Sequence, residues 1–278
     1  MLCDKITKEE LKDTYFNNTC WKANIKYDGE RIIAIKKDGE VFLVNRRGNI
    51  KNSHYLEVVE SLNACEGDFI LDGEVITHDD NFNKLQRRAL TKNPHKQEQL
   101  RKELPVIYMV FDVLNYQGKD LRQMPLKDRL VFYQKFISDK SIYQKFISDK
   151  SIGFVAYENI YDLLPVAELQ KCEGIILKNM NAKYEGRRSK DWLKLKFFKN
   201  TNLKLITYTI NNAGIRCEDE KLNVVQVSGH QHKEVKDKID GVGYCDVTIQ
   251  YLEQGKTGRY RFPSFVKITE LNNNNQES

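Results

Sequence analysis

The sequence predicts an α+β protein with two domains, in which a larger domain of antiparallel sheets with flanking helices precedes a small all-β barrel. The 278 residues suffice for two domains of ordinary size. Strand and helix patterns alternate through residues 1–200, whereas strand patterns dominate after the polar segment 199–202. The predicted domains are therefore 1–200 and 203–270, and the Asn-rich segment 271–278 is predicted to be a disordered tail.

The region around Lys26 has a strand-turn-strand pattern. Alternating residues predict strands at 23–27, 31–36 and 41–44, and 37–40 has the composition of a hairpin turn. Asp28-Gly29 is a second turn signal directly after Lys26. Lys26 is therefore expected on or at the end of a strand, where its amine can be held rigidly above a pocket.

Further helices and strands alternate through the rest of the first domain. Helices are predicted at 55–62 and 126–137, with a polar helical stretch at 83–101 that Asn93-Pro94 interrupts. Strands are predicted at 68–76, 106–114, 174–178 and 192–198.

The second domain is predicted to be a small barrel of the OB type. Its strand patterns are 203–211, 222–228, 244–252 and 260–268, with Gly-containing turns between them and one helix at 231–239. Several strands and one helix within about seventy-five residues fit such a barrel.

A perfect repeat interrupts the first domain. The ten residues YQKFISDKSI at 133–142 recur unchanged at 143–152. A period of ten does not match 3.6 residues per helical turn, so both copies cannot present the same face to one core. One copy is therefore expected to be extruded or loosely packed in a surface loop.

Positive charge is concentrated in one segment. The formal net charge is only +6, but the segment from Lys183 to Lys204 contains eight basic residues and only two acidic ones. Such a patch suits a polyphosphate or a nucleic-acid backbone, because binding releases condensed counterions.

The six cysteines and the apolar segments indicate an intracellular protein without a membrane anchor. The cysteines are scattered, with no Cys-x-x-Cys pair, as expected of reduced thiols. The first thirteen residues are charged and do not form a secretory signal, and no apolar run approaches the ~18 residues of a membrane helix.

Lys26 lies in the motif KYDGER, and four further motifs follow it: LDGE at 71–74, VFD at 110–112, EGIILK at 173–178 and WLKLK at 192–196. A lysine amine is a poor nucleophile at neutral pH, and nearby cations such as Arg31, Lys194 and Lys196 would activate it while offsetting phosphate charge. Glu74 and Glu173 supply the hard oxygen ligands that Mg²⁺ requires. On local sequence alone, these groups also fit an exposed strand lysine and ordinary ion pairs.

Together the five motifs resemble the covalent nucleotidyltransferase superfamily and, within it, the ATP-dependent DNA ligases. The resemblance implies an adenylation domain followed by an OB-fold domain, with ATP and Mg²⁺ or Mn²⁺ as cofactors. It also implies that Lys26 accepts AMP with Lys194 and Lys196 as further catalytic residues, and that Glu173 holds the metal.

The resemblance also assigns the residues that would contact the nucleotide and the DNA. Phe111 matches the aromatic residue that stacks on adenine, Glu74 would contact the ribose and join Glu173 at the metal, and Arg46 matches the arginine that grips the 5′-phosphate at a nick. The full set implied for nucleotide binding is Asn24, Ile25, Arg31, Glu74, Phe111 and Arg188.

Two departures from the family pattern affect these expectations. The family ends its barrel with an Arg-x-Asp-Lys element that orients the pyrophosphate leaving group, but Thr269, Leu271 and Asn272 occupy those positions here. Only about twenty residues precede the first motif, so the helical DNA-binding domain of larger ligases is expected to be missing.

The predicted function is that of a minimal, monomeric ATP-dependent DNA ligase acting on nicked double-stranded DNA through a lysyl-AMP intermediate. Two alternatives remain open. An RNA ligase or mRNA-capping enzyme uses the same lysine scaffold, and a nucleic-acid-binding relic would retain the fold without self-adenylation.

Overall fold

The computed structural model describes residues 1–138, 150–255 and 257–269. The predicted tail at 271–278 and most of the second copy of the repeat lie outside these residues, as do Leu271 and Asn272. The chain divides into two units, Met1–Leu195 and Lys196–Ser278. The polar segment 199–202, at which the domain boundary was predicted, is strand in the structure. Among the described residues, no helix is both long and apolar enough to span a membrane.

The first unit contains two sheets and six α-helices in its described part. Its strands are β1 (Leu2–Lys5), β2 (Trp21–Ile25), β3 (Glu30–Lys37), β4 (Glu40–Asn45), β5 (Phe69–Thr77), β6 (Val106–Tyr116), β7 (Lys119–Asp120), β8 (Ile152–Phe154), β9 (Gly174–Asn179) and β10 (Arg188–Lys196). Its helices are α1 (Lys8–Glu10), α2 (Leu56–Asn63), α3 (Phe82–Leu90), α4 (Pro94–Glu103), α5 (Leu126–Ser138) and α6 (Ile160–Leu169). A short π-helix occurs at Leu11–Tyr15, and a short 3₁₀ helix occurs at Asn52–His54.

The larger sheet has the order β4-β3-β5-β6-β7, with β8 parallel to β6. Alternate residues of β3, such as Ile32 and Ala34, are fully buried beneath helices, as the period of two requires. Tyr133 and Phe136 on α5 join this core. The first copy of the repeat therefore begins within a packed helix, and its last four residues lie outside the described ranges.

The smaller sheet has the order β1-β10-β9-β2. Strand β2 pairs antiparallel with β9, and Ile25 lies opposite Ile175. Strand β1 runs parallel to β10 and pairs from Leu2 opposite Arg188. This pairing joins residues that are far apart in the chain, so β10 begins at Arg188 rather than at the predicted position 192.

The polar helical stretch divides at the predicted interruption. Asn81 and Asn93 cap α3 and α4, because their side chains accept hydrogen bonds from the N–H groups of Lys84 and Lys96. Pro94 occupies the first turn of α4, where its missing N–H costs nothing. Helix α6 and strands β1, β7 and β8 were not predicted, because they are short or lack a clear periodicity.

The second unit contains strands β11 (Lys199–Leu205), β12 (Thr207–Asn211), β13 (Gly214–Glu218), β14 (Val224–Val227), β15 (Cys245–Tyr251), β16 (Glu253–Gln254), β17 (Tyr260–Arg261) and β18 (Ser264–Ile268), with helix α7 (Gln231–Val242). Its sheets have the orders β11-β15-β18 and β12-β13-β14, and β16 pairs with β17. The single strand predicted at 203–211 was wrong, because the chain breaks at Ile206 and its two halves join different sheets. The α+β class is confirmed.

Arg129 and Asp112 form an ion pair whose side chains are both fully buried. Replacing Arg129 by Leu should destabilise the first unit by about 3–5 kcal/mol, because the Asp112 carboxylate is left buried without a charged partner. The matched control is Arg122→Leu, which removes an ion pair to Asp120 whose side chains are 59% and 48% exposed. Urea unfolding followed by circular dichroism should show a loss confined to the Arg129 variant, and equal losses would contradict the assignment.

Candidate functional site

One pocket of the first unit is lined by nine residues that the sequence singled out: Asn24, Ile25, Lys26, Arg31, Arg46, Glu74, Phe111, Arg188 and Lys194. Leu2, Cys3, Tyr27, Ile176, Lys178 and Trp192 complete the lining. The predicted residues come from β2, β3, β5, β6 and β10 and from the segments that follow β2 and β4, so the fold of the first unit assembles them at one place.

Lys26 lies in the loop between β2 and β3, directly after the last residue of β2. Its backbone N–H donates to the carbonyl oxygen of Gly174 at 2.9 Å. Its Nζ donates to Oε2 of Glu173, and the two side chains are 19% and 7% exposed. The predicted nucleophile is therefore held in an ion pair at the wall of the pocket.

Arg31 is anchored by a buried carboxylate. Its Nε donates to Oδ1 of Asp72 at 2.9 Å, a second nitrogen binds Oδ2, and Asp72 is itself fully buried. Burial opposes the charge of Arg31, but the charge and hydrogen bonds of Asp72 outweigh burial and raise the pKa of the guanidinium. Tyr184 also donates to Asp72, at 2.7 Å. Arg31 therefore stays charged in the pocket with its position set by Asp72.

Glu74 lies opposite Arg31 in the pairing of β3 with β5. Burial raises the pKa of its carboxyl to about 8, while the positive charges of Lys26 and Arg31 act in the opposite direction. At neutral pH the carboxyl is therefore mostly protonated, and it can donate a hydrogen bond as well as accept one.

An aromatic wall contains Lys178, the last residue of the motif EGIILK, for which the sequence predicted no role. The rings of Phe111 and Trp192 meet edge to face with centroids 5.8 Å apart. Lys178 is 1% exposed, and its Nζ lies 4.3 Å from the Phe111 centroid and 4.0 Å from the Trp192 centroid. Its Nζ also donates to the Tyr157 hydroxyl at 2.7 Å. Burial lowers the pKa of Lys178 to about 7.

Strand alternation is the sequence signal that identifies Lys178. Residues two apart on a strand share a face, so Lys178 on β9 projects to the same side as Ile176. Both line the pocket. Tyr157 precedes α6 and belongs to no motif, so nothing in the local sequence marks it.

Two buried polar atoms among the described residues have no hydrogen-bond partner, and both belong to lining residues of this pocket. They are Oδ1 of Asn24 and Nε1 of Trp192. The amide group of Asn24 donates to the carbonyl oxygen of Ile25 at 2.7 Å, which assigns the amide orientation and leaves Oδ1 as an acceptor. Buried polar atoms without partners are rare in native structures, so a ligand that offers one donor and one acceptor fits this site.

Three cations complete the pocket. Arg46, which follows β4, and Arg188, which begins β10, are exposed, and Lys194 is half-buried on β10. A guanidinium nitrogen of Arg188 donates to the carbonyl oxygen of Cys3. Lys196, predicted to act with Lys194, belongs to the second unit, where its Nζ lies 5.0 Å from the Phe262 ring centroid.

The carboxylates do not form a complete metal cage. Within residues 1–138, 150–255 and 257–269, no group of three or more His, Cys, Asp or Glu residues is placed to hold an ion. Glu173 nevertheless offers the oxygen ligands that suit Mg²⁺, which usually takes most of its ligands from phosphate and water.

The family model for the ATP-dependent DNA ligase domain matches residues 1–196. The chain is 26% identical over 268 residues to the SPbeta prophage-derived DNA ligase-like protein LigB of Bacillus subtilis (strain 168), which covers 90% of this chain and 93% of that protein. It is 27% identical to the bifunctional non-homologous end joining protein LigD of the same organism over 69% of this chain, but spans only 34% of that protein.

Solved structures share the fold. A structure from work on the Lig E DNA ligases, described as binding DNA with a minimal scaffold, superposes with a TM-score of 0.66 and 17% identity. The match covers 97% of this chain and 98% of that one. The nucleotidyltransferase and OB-fold architecture expected from the sequence is therefore confirmed.

Lys178→Met should change how stability depends on pH. The pKa of Lys178 is about 7 in the folded protein and ordinarily 10.5, so between these values the unfolded chain holds a proton that the folded chain has released. Folded wild-type protein therefore gains stability from this group as pH rises from about 7 to 10.5. The methionine variant lacks this gain, so its stability relative to wild type should fall across the same window.

Thermal melts of both proteins at several pH values measure this difference. Lys37→Met, at an exposed position, is the matched control and should track wild type. A difference between Lys178→Met and wild type that stays constant with pH would contradict a lowered pKa at Lys178.

Proposed function

The chain belongs to the ATP-dependent DNA ligase family, and on this premise we propose that it seals nicks in duplex DNA by carrying AMP on Lys26. The observation that carries the proposal is the pocket itself. Nine predicted residues from separate segments of the chain line it, and Lys26 lies at its wall against Glu173. We further propose that the adenylation domain and the OB-fold domain correspond to the two units, and that the protein acts as a monomer.

The pocket suits adenine as the base. Asn24 Oδ1 is a buried acceptor, and the exocyclic amino group of adenine is a donor of matching polarity. Guanine would present a carbonyl oxygen at the equivalent position, which leaves the acceptor unpaired. Phe111 offers a ring face for stacking, and Trp192 Nε1 offers a donor for a ring nitrogen. ATP, rather than GTP, is therefore the proposed nucleotide.

In the first step, the Lys26 nitrogen attacks the α-phosphorus of ATP. A nitrogen–phosphorus bond forms as the bond from the α-phosphorus to the bridging oxygen breaks, and pyrophosphate leaves. The ammonium has no lone pair, so the ion pair with Glu173 must open and the proton must pass to water before attack. Arg31, already fixed by Asp72, adds positive charge without needing to reorganise.

In the later steps, AMP moves to the DNA and is then displaced. An oxygen of the 5′-phosphate attacks the phosphorus of lysyl-AMP and the nitrogen–phosphorus bond breaks. The 3′-hydroxyl oxygen then attacks the 5′-phosphorus and AMP leaves. Arg46, Arg188 and Lys194 are the cations of the pocket that can stabilise charge on these phosphates.

Glu173 is the proposed ligand for Mg²⁺ or Mn²⁺, which when bound would neutralise charge on the phosphate oxygens. Glu74 was predicted to share this role as well as to contact the ribose. Burial raises the pKa of its carboxyl to about 8, so a ribose hydroxyl would find both a donor and an acceptor there.

The two alternative functions predict different results with labelled nucleotides and nicked substrates. An RNA ligase or capping enzyme would favour RNA ends or GTP. A binding relic, suggested by Thr269 in place of the family arginine, would bind nicked DNA without forming lysyl-AMP. Incubation with labelled ATP or GTP, then with nicked DNA or RNA, tests all three.

Lys26→Ala should abolish AMP attachment and sealing, by roughly a thousandfold or more, because no other group can form the covalent link. Lys26→Arg should fail equally, since a guanidinium stays protonated and cannot attack. The measurement is mass spectrometry of the intact protein after incubation with ATP and Mg²⁺. Lys37→Ala is the control and should adenylate normally, whereas covalent AMP on either Lys26 variant would refute the assignment.

Asn24→Ala should reduce the preference for ATP over GTP. The substitution removes a buried acceptor whose hydrogen bond is worth about 1–1.5 kcal/mol, so selectivity should fall by roughly tenfold. Rates of lysyl-nucleotide formation with labelled ATP and GTP give the ratio directly. An unchanged ratio in a variant that melts like wild type would exclude Asn24 from base recognition.

A further inference from the structure

The loop that carries Lys26 is held at two points besides its strands. At one end, the N–H of Lys26 donates to the carbonyl oxygen of Gly174. Two residues later, the N–H of Asp28 donates to Oδ1 of Asp80 at 3.1 Å. Gly29 completes the loop, and a Cβ there would lie 2.2 Å from the carbonyl oxygen of Val75, so the backbone packs directly against β5. The path of the loop is therefore set by contacts at Lys26 itself and at Asp28 and Gly29, which follow it.

Asp80 belongs to no motif of the sequence and lies in the turn between β5 and α3. Its N–H donates to the carbonyl oxygen of Thr77 at 2.9 Å, and the N–H of Asn81 donates to the Thr77 hydroxyl at the same distance. Asp80 has a φ of +48°, in the left-handed region that most residues avoid but that Asp and Asn tolerate. This turn directs the half-buried carboxyl of Asp80 toward the loop of Lys26.

The charge on Asp80 is affected by its surroundings in both directions. Burial raises the pKa of its carboxyl to about 6, the N–H of Asp28 lowers it, and the negative charges of Asp28 and Glu173 raise it again. At neutral pH the carboxyl is still mostly ionised. A charged acceptor makes a hydrogen bond roughly twice as strong as a neutral one.

We propose that Asp80 is a positioning residue for the nucleophile, whose carboxylate fixes the backbone at Asp28 and thereby holds Lys26 in the orientation from which it attacks. The inference rests on the proposed function of Lys26. Misplacing a reacting group by about 1 Å can cost roughly a hundredfold in rate, so one anchoring hydrogen bond two residues away is enough to matter.

Positioning of Lys26 matters only in the steps where its nitrogen bonds to phosphorus. These are the attachment of AMP to Lys26 and the transfer of AMP to the 5′-phosphate. Sealing of a nick that already carries AMP forms no bond to Lys26. Loss of the Asp80 carboxylate should therefore slow the first two steps selectively, whereas a general loss of structure would slow all three.

Two substitutions separate the carboxylate from the backbone conformation. Asp80→Gly introduces a residue that tolerates the positive φ and removes the carboxylate that accepts the hydrogen bond from Asp28. Asp80→Asn keeps both the tolerance of this φ and a side-chain oxygen acceptor. Asp38→Gly is the matched control, since Asp38 has a φ of +52° and lies in an exposed hairpin turn between β3 and β4.

The measurements are the rate constant of lysyl-AMP formation at saturating ATP, the KM for ATP, and the rate of sealing pre-adenylated nicked DNA. Asp80→Gly should lower the rate constant of lysyl-AMP formation by roughly 10- to 100-fold. It should leave the KM for ATP and the sealing rate near those of wild type. Asp80→Asn should restore most of the adenylation rate, and Asp38→Gly should match wild type.

Equal adenylation by Asp80→Gly and wild type would overturn the inference. So would a parallel loss in adenylation and in sealing of pre-adenylated nicks, or a failure of Asp80→Asn to recover the rate. Absence of lysyl-AMP in the wild-type protein would instead refute the proposed function, so the two failures are distinguishable.

Discussion

The antiparallel pairing of β2 with β9 is the constraint on which the site depends. Ile25 and Ile175 are partners in this pair, so the last residue of β2 and the first residues of β9 lie at the same end of the two strands. Lys26 and Glu173, 147 positions apart in the chain, are thereby brought into contact. A slip of β2 by one residue in this register would turn the side chain of Asn24 away from the pocket, because successive strand residues face opposite sides.

Desolvation gives the pocket its chemical character. Arg31 and Asp72 compensate each other through paired hydrogen bonds, so Arg31 can remain charged where an isolated ion would be costly. At Glu74 and Lys178, burial outweighs the opposite charges nearby and shifts the pKa of each toward its neutral form. The interior of the pocket therefore contains groups close to the balance between charged and neutral forms, while Arg46 and Arg188 remain exposed at its lining.

Elements encoded by neighbouring residues were predicted correctly, whereas elements that depend on pairing between distant parts of the chain were not. Helices α3 and α4 were divided correctly, because Asn93 and Pro94 encode the second helix start locally through a cap and a fixed φ. The strand at 203–211 was predicted as one, because its break at Ile206 depends on pairing with two different sheets. Strand β1 was missed for a related reason, since four residues without clear alternation become a strand only through pairing with β10.

The sequence by itself predicted Lys26 as the nucleophile, with Glu74 and Glu173 beside glycines and a set of basic residues around it, because the residue types of its motifs indicate this chemistry. The tertiary structure alone decided how these groups meet. It placed Glu173 against Lys26 and paired Arg31 with Asp72. It also left Asn24 Oδ1 and Trp192 Nε1 without hydrogen-bond partners among the residues that the structure describes. It also brought Asp80 to the loop of Lys26. The physical reason is that hydrogen bonding and desolvation depend on neighbours distant in the chain, which local composition and periodicity do not encode.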